Sequence, residues 1–195
     1  EKAFDLVSPY LVPGDGGTAA LVAAAGRGAR IRILTNSWAA TDERAVHAGY
    51  AKRREDLLRA GVQLYELKPT VDRNSRDEKS RVGSTSSGLH AKTFAVDRSR
   101  AFVGSFNFDQ RSARLNTEMG LVIDSPKLAQ RLAEFFDTVV PFVAYEVRLA
   151  SDGRSLEWIE RTASEVKRYD TEPETGWLRR LGIDFMSILP IEWML

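Results

Sequence analysis

The chain has 195 residues, 43% of them hydrophobic, which suits one domain with an appendage around a real core and excludes the disordered and fibrous classes. Its 28 basic and 27 acidic residues leave a net charge of +1, so no global field draws it to nucleic acid and any anion site has to be local. The absence of cysteine removes disulfides and thiolate metal sites, and with two histidines a zinc site would have to lean on carboxylates.

The chain opens Glu1-Lys2-Ala3-Phe4 with no initiator Met and no signal peptide, and so reads as a piece lacking its true N-terminus. Phe4 to Val7 is a short apolar strand running into a loop imposed by Pro9 and Pro13. Thr18 is placed to cap a helix over Ala19 to Ala25, with Gly26 and Gly28 as stop signals. Ile31 to Leu34 reads as a second strand ending in polar Thr35-Asn36-Ser37. Asp42 is placed to cap a helix from Glu43 to Ala60, closed by Gly61, and Val62 to Leu67 is a third strand. This alternation implies a parallel sheet with right-handed crossovers. Residues 69 to 88 are polar and Gly/Ser-rich without period, the pattern of a mobile loop. Strands follow around Lys92 to Val96 and Ala101 to Gly104, joined by a tight turn at Asp97 to Arg100, with another at Glu118 to Ile123. Ser125-Pro126 is a cap and first-turn signal for a helix through Val140, ended by Pro141. Tyr145 to Leu149 and Leu156 to Glu160 flank Ser151-Asp152-Gly153 as a hairpin, and an amphipathic segment from Trp177 to Leu189 leads to the end. There is no internal repeat, and no apolar run approaches the roughly 18 residues of a membrane span.

The chemistry concentrates in His90-Ala91-Lys92, then Asp97 after four intervening residues, then Gly104-Ser105-Phe106-Asn107 after six more. Phosphodiesters repel nucleophiles, so a site needs an active nucleophile and fixed positive charge on the non-bridging oxygens. In a strand His90 and Lys92 point to one face and can converge on one phosphate, the imidazole attacking when neutral or donating a proton when charged. Asn107 and the Ser105 hydroxyl can donate to phosphoryl oxygens, and Gly104 lets the backbone approach. Glu118 is placed to orient the histidine, whereas Asp97 lies outside the same-face pattern and suits a turn as well as a site. His47 admits a substrate-side role or a helix-packing one. Asn36 and Ser37 sit at a strand's C-terminal end, where α/β sheets bind ligands. Arg111 and Arg114 can meet a headgroup, or pair with Asp109 or Glu118.

This HxKxxxxD…GSxN pattern, over about residues 85–112, resembles the signature of the phospholipase D superfamily. The resemblance implies metal-free phosphodiester chemistry through a phosphohistidine, with a histidine of a second lobe in the complementary role. It implies catalytic roles for His90, Lys92, Asp97, Ser105, Asn107 and Glu118, and no metal or organic cofactor. Only one copy of the signature is present, so the chain reads as half of an active site. Whether His90 is nucleophile or proton donor depends on the other lobe.

Ser8 to Pro13, Ala45 to Ala51, Gly61 to Leu67, Arg111 to Glu118 and Leu189 to Trp193 are further similar to the C-terminal half of bacterial cardiolipin synthases of the C type. That similarity implies an α/β fold: a phospholipase D-like lobe over 1–140, a mixed β-sheet flanked by helices, then a C-terminal hairpin and amphipathic helix over 141–195. It implies phosphatidyl transfer between phospholipids, phosphatidylglycerol with a second lipid such as phosphatidylethanolamine, at a bacterial membrane. Tyr10, Asn36, Ser37, His47 and Arg111 are the substrate-binding candidates. The expected macromolecular partner is the N-terminal phospholipase D lobe of the same protein or a homodimer mate, with no nucleic acid. The apolar, Arg-flanked stretch from Trp177 to Leu195 suits either an interfacial helix or one docked on the sheet. Three other readings stay open: a hydrolase using water, a homodimeric single-motif nuclease, and a noncatalytic scaffold.

Overall fold

A computed structural model describes residues 2–69 and 88–176. The segments read above as a mobile loop and as the C-terminal amphipathic helix fall outside them, apart from the loop's end residues. In chain order the elements are β1 (Ala3–Val7), β2 (Leu11–Val12), α1 (Gly14–Gly26), β3 (Arg30–Asn36), α2 (Arg44–Ala51), α3 (Arg54–Arg59) and β4 (Gln63–Leu67). They continue as β5 (Thr93–Val96), β6 (Arg100–Gly104), β7 (Phe108–Asp109), α4 (Gln110–Arg114) and β8 (Gly120–Asp124). The chain then forms α5 (Pro126–Thr138), α6 (Val140–Val143), β9 (Ala144–Leu149), β10 (Leu156–Arg161) and β11 (Val166–Tyr169).

Nine strands form one mixed sheet in the order β11-β10-β9-β4-β3-β1-β5-β6-β8. β3 runs parallel to both β1 and β4, as the strand-helix-strand alternation requires, and the other pairings are antiparallel. Because β9 pairs with β4, the hairpin strands extend the same sheet. β3 is buried from Ile31 to Asn36, as expected of a central strand covered on both faces. One face packs Leu6, Ile31, Ile33 and Leu64 with Leu21, Tyr50 and Leu57 of the first three helices. The other packs Val7, Leu34 and Tyr65 with Phe136 and Val140. α5 presents Ala129, Ala133 and Phe136 at helical spacing, and Ser125 caps it by accepting from the Leu128 N–H.

Beneath α5, Asp5 and Arg32 are opposed across β1 and β3, and the guanidinium is bidentate to the carboxylate at 2.6 and 2.8 Å. Arg32 also reaches Asp137 and lies 4.8 Å over the Phe136 ring. Paired charges with an aromatic lid make burial of this arginine tolerable.

Several sequence expectations are corrected. α1 starts at Gly14, so Thr18 lies inside the helix; the Pro13 carbonyl accepts both the Gly17 N–H and the Gln110 side chain. The helix expected over Glu43 to Ala60 is divided at Lys52 and Arg53, where the Arg53 N–H bonds back three residues to the Tyr50 carbonyl. Asp42 is no cap: it accepts from the Tyr10 hydroxyl at 2.9 Å. α5 ends at Thr138, before Val140, and Pro141 sits at the start of a further short helix, α6, rather than ending one. His90 and Lys92 precede β5 rather than lying in it.

Candidate active site

The site forms where β5, β6 and β8 reach one end of the sheet, with β8 as the edge. β5 and β6 are locked by Phe94 stacked on Phe102, ring centres 4.7 Å apart, and by Thr93 donating to the Phe102 carbonyl at 2.5 Å. The Gly104 N–H donates to the Lys92 carbonyl at 3.2 Å, fastening the His-x-Lys segment to the Gly-Ser-x-Asn segment. A Cβ on Gly104 would lie 2.5 Å from the Met119 carbonyl, so this position needs glycine for close approach.

Side chains of His90, Lys92, Val103, Ser105, Met119 and Leu121 help to line an open pocket of about 640 Å³. His90 is exposed at its rim and Lys92 is half-buried, its ammonium donating to the His90 carbonyl at 3.0 Å. Burial lowers the Lys92 ammonium below the ordinary lysine value, against the pull of Glu118, Asp109 and Asp42. The Ser105 hydroxyl donates to Glu118 at 2.5 Å and accepts the Met119 N–H at 3.0 Å. That bond from Ser105, with help from Asn116 and Lys92, holds the Glu118 carboxyl below its usual value. The apolar rim is open to solvent: Met119 is 82% and Leu121 66% exposed.

Asn107, two residues after Ser105, leads into a two-residue ladder. β7 pairs in parallel with β2, and the Ser8 hydroxyl accepts the Phe108 N–H at 3.0 Å while donating to the Tyr10 carbonyl at 2.6 Å. Asn107 Oδ1 is buried with no hydrogen-bond partner among the described residues. Asp109 caps α4, accepting the Ser112 N–H at 2.6 Å. The Asp-x-x-Ser spacing was a readable signal for that cap, whereas no local pattern gave Ser8 its bond to the Phe108 N–H.

Thus His90, Lys92 and Ser105 share one pocket, and Glu118 joins them through Ser105. Among the described residues Glu118 bonds the side chains of Ser105 and Asn116 rather than the imidazole. Asp97 lies at the opposite end of β5, at φ 54°, accepting the Lys2 and Ala3 N–H groups at 2.5 and 3.0 Å. Those two donors hold its carboxyl low, and the geometry fits the turn role.

The expected substrate contacts largely move elsewhere. His47 is 2% exposed, its Nε2 lying 2.7 Å from Glu172 and 2.8 Å from Arg54, with edge contacts to Trp38 and Tyr50. These surroundings fit the packing role. Arg111 is exposed and donates to Asn116 at 3.2 Å, outside the pocket lining. Tyr10 is tied to Asp42; burial and that bond push its phenol up to about 12, so it remains a donor. Ser37 is buried, its hydroxyl without a hydrogen-bond partner among the described residues, and Asn36 bonds the main chain of Leu89. Neither lines the pocket.

A mixed sheet between helical layers, with a His-x-Lys segment and a Gly-Ser-x-Asn turn meeting at its edge, is the arrangement of a phospholipase D-like lobe. The chain belongs to that family: residues 1–140 match the family model described as cardiolipin synthase, PLD-like domain. All 195 residues align at 45% identity with "Cardiolipin synthase C" of Escherichia coli (strain K12), spanning 41% of that protein's length. Among solved structures, phosphatidylserine synthase of Haemophilus influenzae Rd KW20 superposes with a TM-score of 0.56 at 13% identity, over all of this chain and 42% of that one. The phospholipase D family member Nuc from Salmonella typhimurium gives 0.54 at 23% identity, over 75% of this chain and 82% of that one. These two likenesses bear on the fold alone.

Proposed function

We propose that the chain supplies one of two lobes of a bacterial phosphatidyltransferase of the cardiolipin synthase type. The observation that carries this reading is the 45% identity to cardiolipin synthase C along the entire chain, site segment included. The substrates are phospholipid phosphodiesters, phosphatidylglycerol and a second lipid such as phosphatidylethanolamine. Lys92 and Asn107 bind the non-bridging oxygens, and Ser105, held by Glu118, completes the rim.

The two histidine tasks are divided between lobes. The partner lobe's imidazole attacks the phosphorus of the donor lipid and the bond to its headgroup alcohol oxygen breaks (ethanolamine where phosphatidylethanolamine is the donor and the phosphatidylglycerol hydroxyl the acceptor), with His90 giving that oxygen its proton. The acceptor hydroxyl then loses its proton to His90 as its oxygen displaces the phosphohistidine, returning both imidazoles to their starting states. The enzyme lies peripherally on the membrane; among the described residues no helix is long and apolar enough to cross one. The exposed rim of Val103, Met119 and Leu121 supports a covering lobe or lipid at this face.

A chimera tests the reading: this chain replaces the aligned segment of E. coli cardiolipin synthase C and is assayed on phosphatidylglycerol vesicles with and without phosphatidylethanolamine. Cardiolipin from the chimera, lost in His90→Ala, is the expected result. Phosphatidic acid instead makes the acceptor water, and cleavage of a DNA control by the chain alone replaces the reading with a homodimeric nuclease.

A further inference from the structure

Asn36 closes β3, and its side chain is almost entirely buried. Its carboxamide faces the residue before His90: Oδ1 accepts the Leu89 N–H at 2.8 Å, and Nδ2 donates to the Leu89 carbonyl at 3.3 Å. Nδ2 also reaches the Pro9 carbonyl at 3.5 Å, and the Thr35 hydroxyl donates to the same carbonyl at 3.3 Å. Two bonds exchanged with a single residue reproduce what opposed residues of an antiparallel ladder exchange. Here a side chain makes them, because β5 begins only at Thr93.

The same segment is held from a second side. A Cβ on Gly88 would lie 2.6 Å from the Ala40 carbonyl oxygen and 3.5 Å from Asn36 Oδ1, so the chain passes where a larger residue would push it away. The Leu89 side chain packs against the cluster of Val7, Leu34 and Phe136. Gly88 and Leu89 are therefore anchored, whereas the next residue, His90, is exposed at the pocket rim.

We infer that Asn36 is a positioning residue: by holding both main-chain groups of Leu89 it sets where the His90 imidazole stands relative to Lys92, without itself touching substrate. The inference rests on the proposed phosphate-facing role of His90 but not on which ester or acceptor is used. Without the carboxamide, Leu89 loses both bonds and the His90 backbone gains freedom that phosphate binding must then remove. Loss of two ordinary hydrogen bonds corresponds to roughly a tenfold loss of affinity.

With two histidines in the chain, isotope-labelled imidazole NMR reads each separately, and inorganic phosphate is the probe. In the unaltered chain phosphate should shift His90 saturably and leave buried His47 unmoved. Asn36→Ala should weaken phosphate binding about tenfold and broaden or split the His90 resonances, with His47 unchanged as the check on folding. Asn36→Asp retains the acceptor for the Leu89 N–H and should give a smaller change. Gly88→Ala, which displaces the same segment with Asn36 intact, should reproduce the His90 effect. An Asn36→Ala chain with unaltered His90 resonances overturns the inference. If its phosphate binding also weakens, Asn36 is a direct ligand instead. If phosphate never shifts His90 in the unaltered chain, the phosphodiester reading fails, and the His90 line shape in Asn36→Ala still decides the positioning role.

Discussion

Replacing Arg54 with Leu should destabilise the fold by about 3–5 kcal/mol, the cost of breaking a buried charge pair by removing one partner. Arg54 is buried among two carboxylates and a histidine: it is bidentate to Glu172 at 3.0 and 3.1 Å, its Nε is 2.9 Å from Glu66, and its Nη2 is 2.8 Å from His47. Glu66 is fully buried, accepting also from the Tyr50 hydroxyl at 3.1 Å and the Trp158 indole at 2.9 Å. Burial raises the Glu66 carboxyl and Arg54 opposes it; burial raises Glu172 too, but Arg54 and His47 reverse that and hold it well below the carboxylate range. Arg54→Leu removes the shared cation and leaves both carboxylates to burial, so both folded-state pKa values rise. A raised carboxyl is a penalty felt fully above its folded value and relieved as pH falls toward the unfolded one, about 4.3. The deficit should therefore be largest at pH 8 and shrink toward pH 5. For a chain of this length it corresponds to a drop in Tm of roughly 6–20 °C at pH 8, followed by circular dichroism. A loss under about 1 kcal/mol, or one independent of pH, would refute the account of Arg54 as the ion on which both carboxylates depend. His90 should respond to phosphate as before in the variant, because the cluster stands apart from the pocket.

Asp97→Ala should cost about 1 kcal/mol by freeing the Lys2 and Ala3 N–H groups, with His90 reactivity toward diethyl pyrocarbonate unchanged. Lost reactivity with an unchanged Tm would return Asp97 to the site. Glu118 sits below the ordinary glutamate value of 4.5, so its bond to Ser105 is fully present above that value and fades as pH falls through the lowered one. Amide shifts of Ser105 and Met119 should move only in acid, and Glu118→Gln should flatten that dependence. Gly120→Ala would bring a Cβ within 2.2 Å of the Phe102 ring, and displacing that ring from its stack on Phe94 should cost about 1–3 kcal/mol in urea denaturation. An unchanged midpoint would mean that the stack yields freely.

What the sequence made legible was what depends on local pattern. The apolar runs at β1, β3 and β4, the Ser125-Pro126 start of α5 and the Asp152-Gly153 turn all carry their signals within a few residues. The start of α1 was missed because Gly14-Asp-Gly-Gly is poor helix sequence, and its anchor, the Gln110 amide on the Pro13 carbonyl, is 97 residues away. β11 escaped notice because Val166–Tyr169 has no alternation of its own and gains order by pairing with β10. At the site the motif spacing identified His90, Lys92 and Ser105 as neighbours. It could not show the contact of Asn36, a candidate from its place at a strand end, with Leu89, 53 residues on, or that of Asp97 with the first residues of the chain.

A common construction underlies these contacts. The polar side chains of the motif are fixed by bonds that lie outside the nine-stranded ladder: Asn36 holds the residue before His90, Ser8 holds the residue after Asn107, and Ser105 ties itself to Glu118 and Met119. Side-chain bonds to main-chain groups let reactive residues sit just beyond the strand ends, where their direction is not dictated by the alternation of the pleat. Such a site still faces water on its open side, and the attraction between Lys92 and a phosphate is several-fold weaker there than under cover. On the proposed reading a second lobe would contribute more than a second histidine. By covering Val103, Met119 and Leu121 it would exclude water from the same pocket, and so increase the worth of charges that this lobe already holds in place.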